Sequence, residues 1–169
     1  MGKIIAILTS AVLADQIAKG VLLSMVADGW HLSGDAFALV PFPFMMWRLT
    51  NWFNIVFTWN PGTSFSMFRE VSPFVMIFLT GMIIGFLGYH LFTRIRGNVE
   101  VWAMSLIVGG ALGNLIDRVR FGAVIDFVDW HVGTWHWPAF NIADVCICVG
   151  VGLYILHWIN QRKKLWFNT

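Results

Sequence analysis

Residues 72–92 read SPFVMIFLTGMIIGFLGYHLF and contain no Asp, Glu, Lys or Arg. A helix needs about 20 largely apolar residues to cross the hydrocarbon core of a bilayer, so this stretch predicts a membrane-spanning helix. Three other stretches, at about 4–27, 100–118 and 142–159, are also long and apolar. The sequence therefore predicts an α-helical integral membrane protein with four transmembrane helices, organised as a single membrane domain over residues 1–169.

The composition of the whole chain agrees with a membrane protein. Apolar residues make up 58% of the sequence and charged residues only 12%, whereas an average soluble domain is about 25% charged. Together with a mean hydropathy of +0.72, this excludes a soluble globular domain and a disordered chain. The net charge of +2 is too small to suggest a nucleic-acid partner. Cys146 and Cys148 have the spacing of neither a redox pair nor a zinc site.

The distribution of basic residues predicts the orientation in the membrane. One set of span ends carries Lys3, Arg94, Arg96, Arg162, Lys163 and Lys164. Because short cytoplasmic segments collect Lys and Arg, both termini are predicted to lie in the cytoplasm, with outer loops at about 28–71 and 119–141. The apolar run at the N-terminus continues past Ala14 to Leu22, which favours a retained span over a cleavable signal peptide.

Aromatic residues predict a strand in the first outer loop, and glycines predict close contacts between helices. Residues 51–59, NWFNIVFTW, are rich in aromatic and β-branched side chains, which favours a strand. A small sheet on the outer leaflet fits, since Trp prefers the headgroup level. The small-xxx-small spacing of Gly81 with Gly85 and of Gly109 with Gly113 predicts close helix contacts.

Charged residues inside the spans need partners or a function, because they are costly in a bilayer. Asp15 and Lys19 are four residues apart on the first span and are predicted to pair on one helix face. Asn114, Asp117 and Arg118 share a face at the end of the third span. Since an Arg can clamp a carboxylate with two hydrogen bonds, these three residues predict a polar lock at the outer end.

Two further acids are placed where they can approach each other. Asp126 follows the third span and Asp144 begins the fourth, and these consecutive antiparallel spans bring both carboxylates to the outer interface. Two close carboxylates in a low dielectric share a proton, so one can act as base and the other as acid. Asn141, one turn before Asp144, is predicted to hold its carboxylate. Asp129 is an alternative to Asp126, and Asp144 is alternatively a helix N-terminal acid favoured by the macrodipole.

Five segments of the chain, in order, resemble those of bacterial lipoprotein signal peptidase (signal peptidase II), a family of membrane aspartic peptidases. The segments are DQIAK at 15–19, WNPGTSF at 59–65, GGALGNLIDR at 109–118, VIDF at 124–127 and PAFNIAD at 138–144. The last three together are highly specific, and the likeness covers essentially the whole chain.

This resemblance implies a function and a set of site residues. It implies that Asp126 and Asp144 are the catalytic pair and that the substrate is a diacylglyceryl-modified prolipoprotein, cut before its lipidated Cys. A small outer sheet and a mobile outer segment over the site are implied as well, and no metal or organic cofactor is expected. The residues expected to shape the site and bind substrate are Asp15, Lys19, Asn60, Gly62, Gly110, Asn114, Asp117, Arg118 and Asn141.

The resemblance also implies surroundings for the protein. We expect a monomer in the bacterial inner membrane, in contact with membrane lipids, with its site at the outer (periplasmic) interface. The second segment departs from the family pattern Tyr-Asn-x-Gly-Ala-Ala-Phe, because Trp59, Thr63 and Ser64 replace the Tyr and both Ala. Pro61 removes a backbone donor beside Asn60. These differences concern substrate contacts and leave the acidic pair unchanged.

Two other functions are compatible with acids inside a membrane. A small proton-coupled transporter or channel would use them as a proton relay, but its acids should be spread toward both sides of the bilayer. Here Asp117, Asp126 and Asp144 lie at one end and only Asp15 lies deeper. A structural subunit would use the Asp15–Lys19 pair for assembly, which leaves Asp126 and Asp144 without a role.

Overall fold

The structure, a computed structural model, describes residues 1–27, 45–61, 72–95 and 97–167. Its helices are α1 (Gly2–Ala27), α2 (Pro73–Thr93), α3 (Asn98–Phe121) and α4 (Ile142–Phe167), and its strands are β1 (Met45–Arg48), β2 (Phe53–Asn60), β3 (Val124–Val132) and β4 (Trp135–His136). All four helices are long and apolar enough to cross a membrane. The predicted fold class, four transmembrane helices with a small sheet, is confirmed.

Helix α3 is the centre of the bundle and contacts the other three helices. In the apolar stretch of α3 that could span a membrane, 56% of the residues are buried, compared with 6% in the corresponding stretch of α2. A Cβ at Gly109 would lie 2.9 Å from the Cβ of Ala11, so the predicted close packing is confirmed on α3. The same prediction is wrong for Gly81 and Gly85, where an added Cβ has no described atom within 4 Å, because α2 packs against α3 through other residues.

The four strands form one antiparallel sheet in the order β1-β2-β3-β4. The predicted strand at 51–59 corresponds to β2, whereas β3 occupies a stretch predicted only as an outer loop. Gly122 makes this possible: its left-handed backbone (φ 71°) ends α3, and its N–H donates to Arg118 O at 2.9 Å. The chain therefore turns directly from α3 into β3, which carries Asp126.

A β-bulge between β2 and β3 changes which side chains share a face of the sheet. Asn54 lies opposite Asp129, but past the bulge Asn60 lies opposite Val124, because Val56 and Phe57 together face Phe127. Opposite residues of an antiparallel pair point to the same face, and a shift of one residue reverses the face. Without the bulge, Asn60 would point away from the face that carries the Asp126 side chain.

Two apolar clusters hold these elements together on either side of the polar residues of α1. One cluster packs α1, α2 and α3 away from the sheet, and its buried members are Ile4, Ile7, Leu91, Val101, Met104 and Val108. The other packs the end of α1 against the sheet, and its buried members are Leu22, Val26, Phe57, Ile125 and Phe127. Asp15 and Lys19 lie between the clusters along α1, toward the sheet end of the bundle.

Candidate active site

Lys19 joins α1 to α3 through two buried ion pairs. Its Nζ lies 2.7 Å from Asp15 Oδ2 and 2.7 Å from Asp117 Oδ2, and all three side chains are at most 2% exposed. The predicted pairing of Asp15 with Lys19 is confirmed and extended to Asp117. Lys19 Nζ also donates to Asn114 Oδ1 at 3.2 Å. Because a buried cation needs compensating charge, this side chain fixes α1 and α3 in one relative position.

The second oxygen of Asp15 fixes the start of α4. Its Oδ1 accepts the backbone N–H of Ala143 at 2.9 Å, one of the donors that the first turn of a helix leaves without a partner. Gln16 was not singled out from the sequence, but its Nε2 donates to Asp117 Oδ1 at 2.9 Å and to Gly113 O at 3.2 Å. A polar amide inside a predicted span, next to Asp15, was the available signal.

Asp126 and Asp144 are linked through two amide side chains that contact each other. Asn141 Nδ2 donates to Asp126 Oδ1 at 2.7 Å, and Asn114 Nδ2 donates to Asp144 Oδ1 at 2.8 Å. The two amides are themselves joined, since Asn141 Nδ2 lies 3.1 Å from Asn114 Oδ1. Asn60 Nδ2 completes the arrangement by donating to Asp126 Oδ2 at 2.9 Å. The structure thus brings these two acids into one hydrogen-bonded network.

Asn141 acts differently from the sequence expectation. It precedes α4, and its side-chain Oδ1 accepts the backbone N–H of Asp144 at 2.9 Å, as an N-cap does. The Asp144 carboxylate returns the contact weakly, with Oδ2 3.3 Å from the backbone N of Asn141. The Asn141 amide, which was expected to hold Asp144, binds Asp126. One residue therefore couples the strand acid to the helix acid.

Burial disfavours the charged form of Asp126, which is only 2% exposed. This desolvation raises the pKa of Asp126 to about 7, in spite of the hydrogen bonds from Asn60 and Asn141, and the nearby charge of Asp144 raises it further. A carboxyl group with a pKa near neutral can both release and take up a proton during a reaction cycle.

Asp129, the alternative to Asp126, lies on the opposite face of β3 and does not join this network. Asn54 Nδ2 donates to its Oδ2 at 2.7 Å, and His136 Nδ1 lies 2.8 Å from its Oδ1. Burial alone would raise the pKa of Asp129, but the hydrogen bonds from His136 and Asn54 lower it below its ordinary value. The carboxylate is therefore already committed to partners within the sheet.

The three remaining residues expected at the site are Arg118, Gly110 and Gly62, and each has a different outcome. Arg118 makes no ion pair within the described ranges; its Nη1 reaches Asn114 O at 3.5 Å and its buried Nε has no partner there, so Arg118 clamps no carboxylate in the predicted polar lock. Gly110 allows α3 to touch α4, because a Cβ there would overlap Ala143 O. Gly62 lies outside the described residues.

No three His, Cys, Asp or Glu side chains in the described part of the chain are grouped in a way that could hold a metal ion. The polar side chains that the structure brings together at this site are carboxyl groups, amides and the cations of the buried Lys19 and the half-buried Arg118. Asp15 and Asp117 both pair with Lys19. Any further negative charge in the network belongs to Asp126 and Asp144.

Comparison with known proteins gives the family of the chain. The family described as Signal peptidase (SPase) II matches residues 7–160. The "Lipoprotein signal peptidase" of Polynucleobacter necessarius is 38% identical over 168 residues, which cover 96% of this chain and 91% of that protein. That of Janthinobacterium sp. (strain Marseille) is 44% identical over 119 residues, which cover 69% and 72% of the two chains.

Solved structures agree with the sequence relatives. A bacterial membrane enzyme determined by the in meso method at 2.3 Å resolution superposes with a TM-score of 0.77 at 26% identity, covering 97% of this chain and 92% of that chain. A second such enzyme, at 1.9 Å resolution, gives a TM-score of 0.73 at 28% identity over 94% of this chain and 93% of that chain. On these matches the chain belongs to the signal peptidase II family.

Proposed function

We propose that Asp126 and Asp144 are the catalytic pair with which this peptidase removes the signal peptide from diacylglyceryl-modified prolipoproteins. Membership in the family makes the chain a lipoprotein signal peptidase. The observation that carries the assignment of the pair is the network in which Asn141 and Asn114 link the two carboxyl groups. Asp129, with Asn54 and His136 as its partners, has no comparable position.

The reaction follows from one proton shared by the two acids. The ionised carboxylate takes a proton from a water molecule, whose oxygen bonds to the carbonyl carbon of the scissile peptide, while the other carboxyl group gives its proton to the carbonyl oxygen. Breakdown of the tetrahedral intermediate breaks the C–N bond: the first carboxyl group gives its proton to the leaving nitrogen, and the second carboxylate takes a proton back from a hydroxyl of the intermediate as the new C=O forms. The pair then again shares one proton, and it can bind and activate a new water.

The amides and cations have supporting roles in this scheme. Asn60 and Asn141 orient Asp126, and Asn114 orients Asp144, each through a hydrogen bond of 2.7 to 2.9 Å. The charges of both acids act on Arg118, and its Nε, which has no partner among the described residues, is a donor for a substrate carbonyl. We propose Asp15, Lys19, Asp117 and Gly110 as residues that shape the site, since they fix α1, α3 and α4.

The position of the pair fits a substrate that is anchored by lipid. Asp144 is in the first turn of α4 and Asp126 is in the sheet, so both lie at the sheet end of the bundle. A diacylglyceryl group occupies the hydrocarbon region and leaves its Cys at the boundary, which is where a peptide bond would meet these acids. We propose that this end faces the periplasm, with both termini in the cytoplasm, in the bacterial inner membrane.

The test compares cleavage of one prolipoprotein with and without its diacylglyceryl group, followed by gel shift. We expect the purified wild-type protein to cut only the lipidated form. Asp126→Asn and Asp144→Asn should each abolish cleavage and leave binding of the lipidated substrate largely intact, because an amide keeps the shape of the side chain and removes its proton chemistry.

Glu100→Gln serves as the matched control, because this acid lies at the other end of α3 and should leave cleavage unchanged. Retained cleavage in either Asp126→Asn or Asp144→Asn contradicts the assignment of the pair. If wild type cuts neither substrate, measurement of proton flux in liposomes tests the proton-coupled transporter, the remaining alternative function.

A further inference from the structure

A second polar cluster, with two buried members and one whose side chain is 45% exposed (His136), lies in the sheet, apart from the network that holds Asp126 and Asp144. Its members are Asn54 on β2, Asp129 on β3 and His136 on β4. The Asn54 and Asp129 residues are 1% and 4% exposed, and Asn54 Nδ2 donates to Asp129 Oδ2 at 2.7 Å. His136 Nδ1 lies 2.8 Å and 3.0 Å from the two oxygens of Asp129, so one carboxylate ties three strands together.

The cluster lies on the far side of the β-bulge from the acidic pair. Asn54 and Asp129 are directly opposite each other before the bulge, and Asn60 is opposite Val124 after it. A bulge weakens the backbone ladder locally, so the register on each side needs its own side-chain contacts. A slip of one residue would carry Asn60 to the other face of the sheet, away from Asp126 Oδ2, which it now reaches at 2.9 Å.

We propose that Asn54, Asp129 and His136 form a register pin, a set of positioning residues that holds β2, β3 and β4 so that the Asn60 amide stays on Asp126. The pin acts at a distance from the reacting atoms and touches neither acid. This inference rests on the proposed function, since its effect is read through the Asp126 side chain. Because the Asn54 and Asp129 side chains are buried, removing either partner leaves a polar group without compensation.

The readout is the pH profile of kcat for cleavage of a lipidated prolipoprotein. The Asn60 hydrogen bond lowers the pKa of Asp126, so its loss moves the limb of the profile that Asp126 sets to higher pH, by about half to one unit. We expect Asn60→Ala and Asn54→Leu each to produce this shift. A change that only reduced the amount of folded protein would lower the amplitude and leave the limb in place.

A double-mutant cycle separates action through Asn60 from a direct effect. If Asn54 acts only by holding Asn60, the double variant Asn54→Leu/Asn60→Ala shifts the limb no further than Asn60→Ala alone. Charged groups that face Asp126 are identical in all of these proteins; they are Lys19 on α1, Arg118 on α3 and Asp144 on α4. Val132→Ala, at an exposed end of β3, is the control that should not move the limb.

A swap of the pinned pair keeps the test informative if a single variant fails to fold. Asn54→Asp places two carboxylates opposite each other and should impair cleavage, whereas Asn54→Asp/Asp129→Asn restores one donor opposite one acceptor and should recover the wild-type limb. Arg48, opposite Asn54 on β1, and His131, stacked on His136 at 4.8 Å between ring centroids, are unchanged in both.

The outcomes distinguish this inference from the proposed function. Additive shifts in the double-mutant cycle, an unmoved limb in Asn54→Leu, or no rescue by the swap overturn the register pin while cleavage by wild type still supports the peptidase. Retained cleavage in Asp126→Asn instead contradicts the assignment of the catalytic pair, on which the register pin depends.

Discussion

Asp126 is a residue whose burial has a thermodynamic consequence that can be measured without any substrate. Its pKa is 3.8 in an unfolded chain and about 7 in the folded protein, so between these values only the folded state keeps the proton. The free energy of unfolding should therefore decrease as pH rises from about 4 to about 7, by at most about 1.4 kcal/mol per pH unit. Above pH 7 this dependence ends.

The comparison is between the thermal unfolding midpoints of wild type and Asp126→Asn in detergent across this pH range. The amide cannot titrate, so the midpoint of wild type should fall relative to that of the variant between pH 4 and pH 7. Parallel curves would show that Asp126 titrates alike in the folded and unfolded protein, contrary to the burial argument.

Lys19 is the residue on which the charge balance of the bundle depends. Lys19→Met leaves Asp15 and Asp117 buried without their cation, a change expected to cost about 3–5 kcal/mol of stability. Urea unfolding in detergent micelles measures it. The triple variant Lys19→Met/Asp15→Asn/Asp117→Asn has no buried charge at this point and should recover much of the loss. If the triple variant is no more stable than Lys19→Met, the loss comes from packing and not from charge.

At the scale of helices, contact between α3 and α4 sets the position of Asp144. A Cβ at Gly110 would overlap the carbonyl oxygen of Ala143, which is the residue before Asp144, and would lie 2.9 Å from Ile147 Cγ1. Gly110→Ala should therefore separate the helices, lower stability by about 1–3 kcal/mol and reduce kcat by about tenfold or more.

Gly85→Ala on α2 is the matched substitution, since no described atom lies within 4 Å of the added Cβ. Here we expect unchanged cleavage and equal or slightly higher stability, because Ala is the better helix former. Thermal midpoints and kcat of the two variants are measured side by side. Equal effects at both positions would mean that the Gly110 contact does not position Asp144.

Elements differed in how far the sequence determined them. The four helices followed from the length of their apolar runs, and the Asp15–Lys19 pair followed from its spacing of four residues on one helix. The placement of Asn60 on Asp126 depends on a bulge, and pairing between β2 and β3 joins residues that are more than 60 positions apart in the sequence. Period and propensity describe single segments and do not specify such a register. Only the family resemblance named Asn60.

For the molecule as a whole, the position of the acids along the bundle separates a peptidase from a proton relay. Lys19, Asn114, Asn141 and both proposed catalytic acids lie at the sheet end, where α3 ends and α4 begins. At the other end of the described bundle, Glu100 lies 3.6 Å from His157 and does not connect to this network. A relay would need titratable groups along the full length, whereas hydrolysis of a lipid-anchored peptide needs them at one boundary.

The same asymmetry makes the orientation in the membrane testable. Val132, in the β3–β4 hairpin, and Arg162, near the end of α4, are both exposed and lie at opposite ends of the bundle. In a background of Cys146→Ala and Cys148→Ala, a membrane-impermeant maleimide applied to intact cells with a permeable outer membrane should label Val132→Cys and should not label Arg162→Cys until the cells are lysed. Labelling of Arg162→Cys before the cells are lysed would place the acids on the cytoplasmic side. Because the proposed scheme places cleavage at the periplasmic boundary, that result would contradict the proposed orientation.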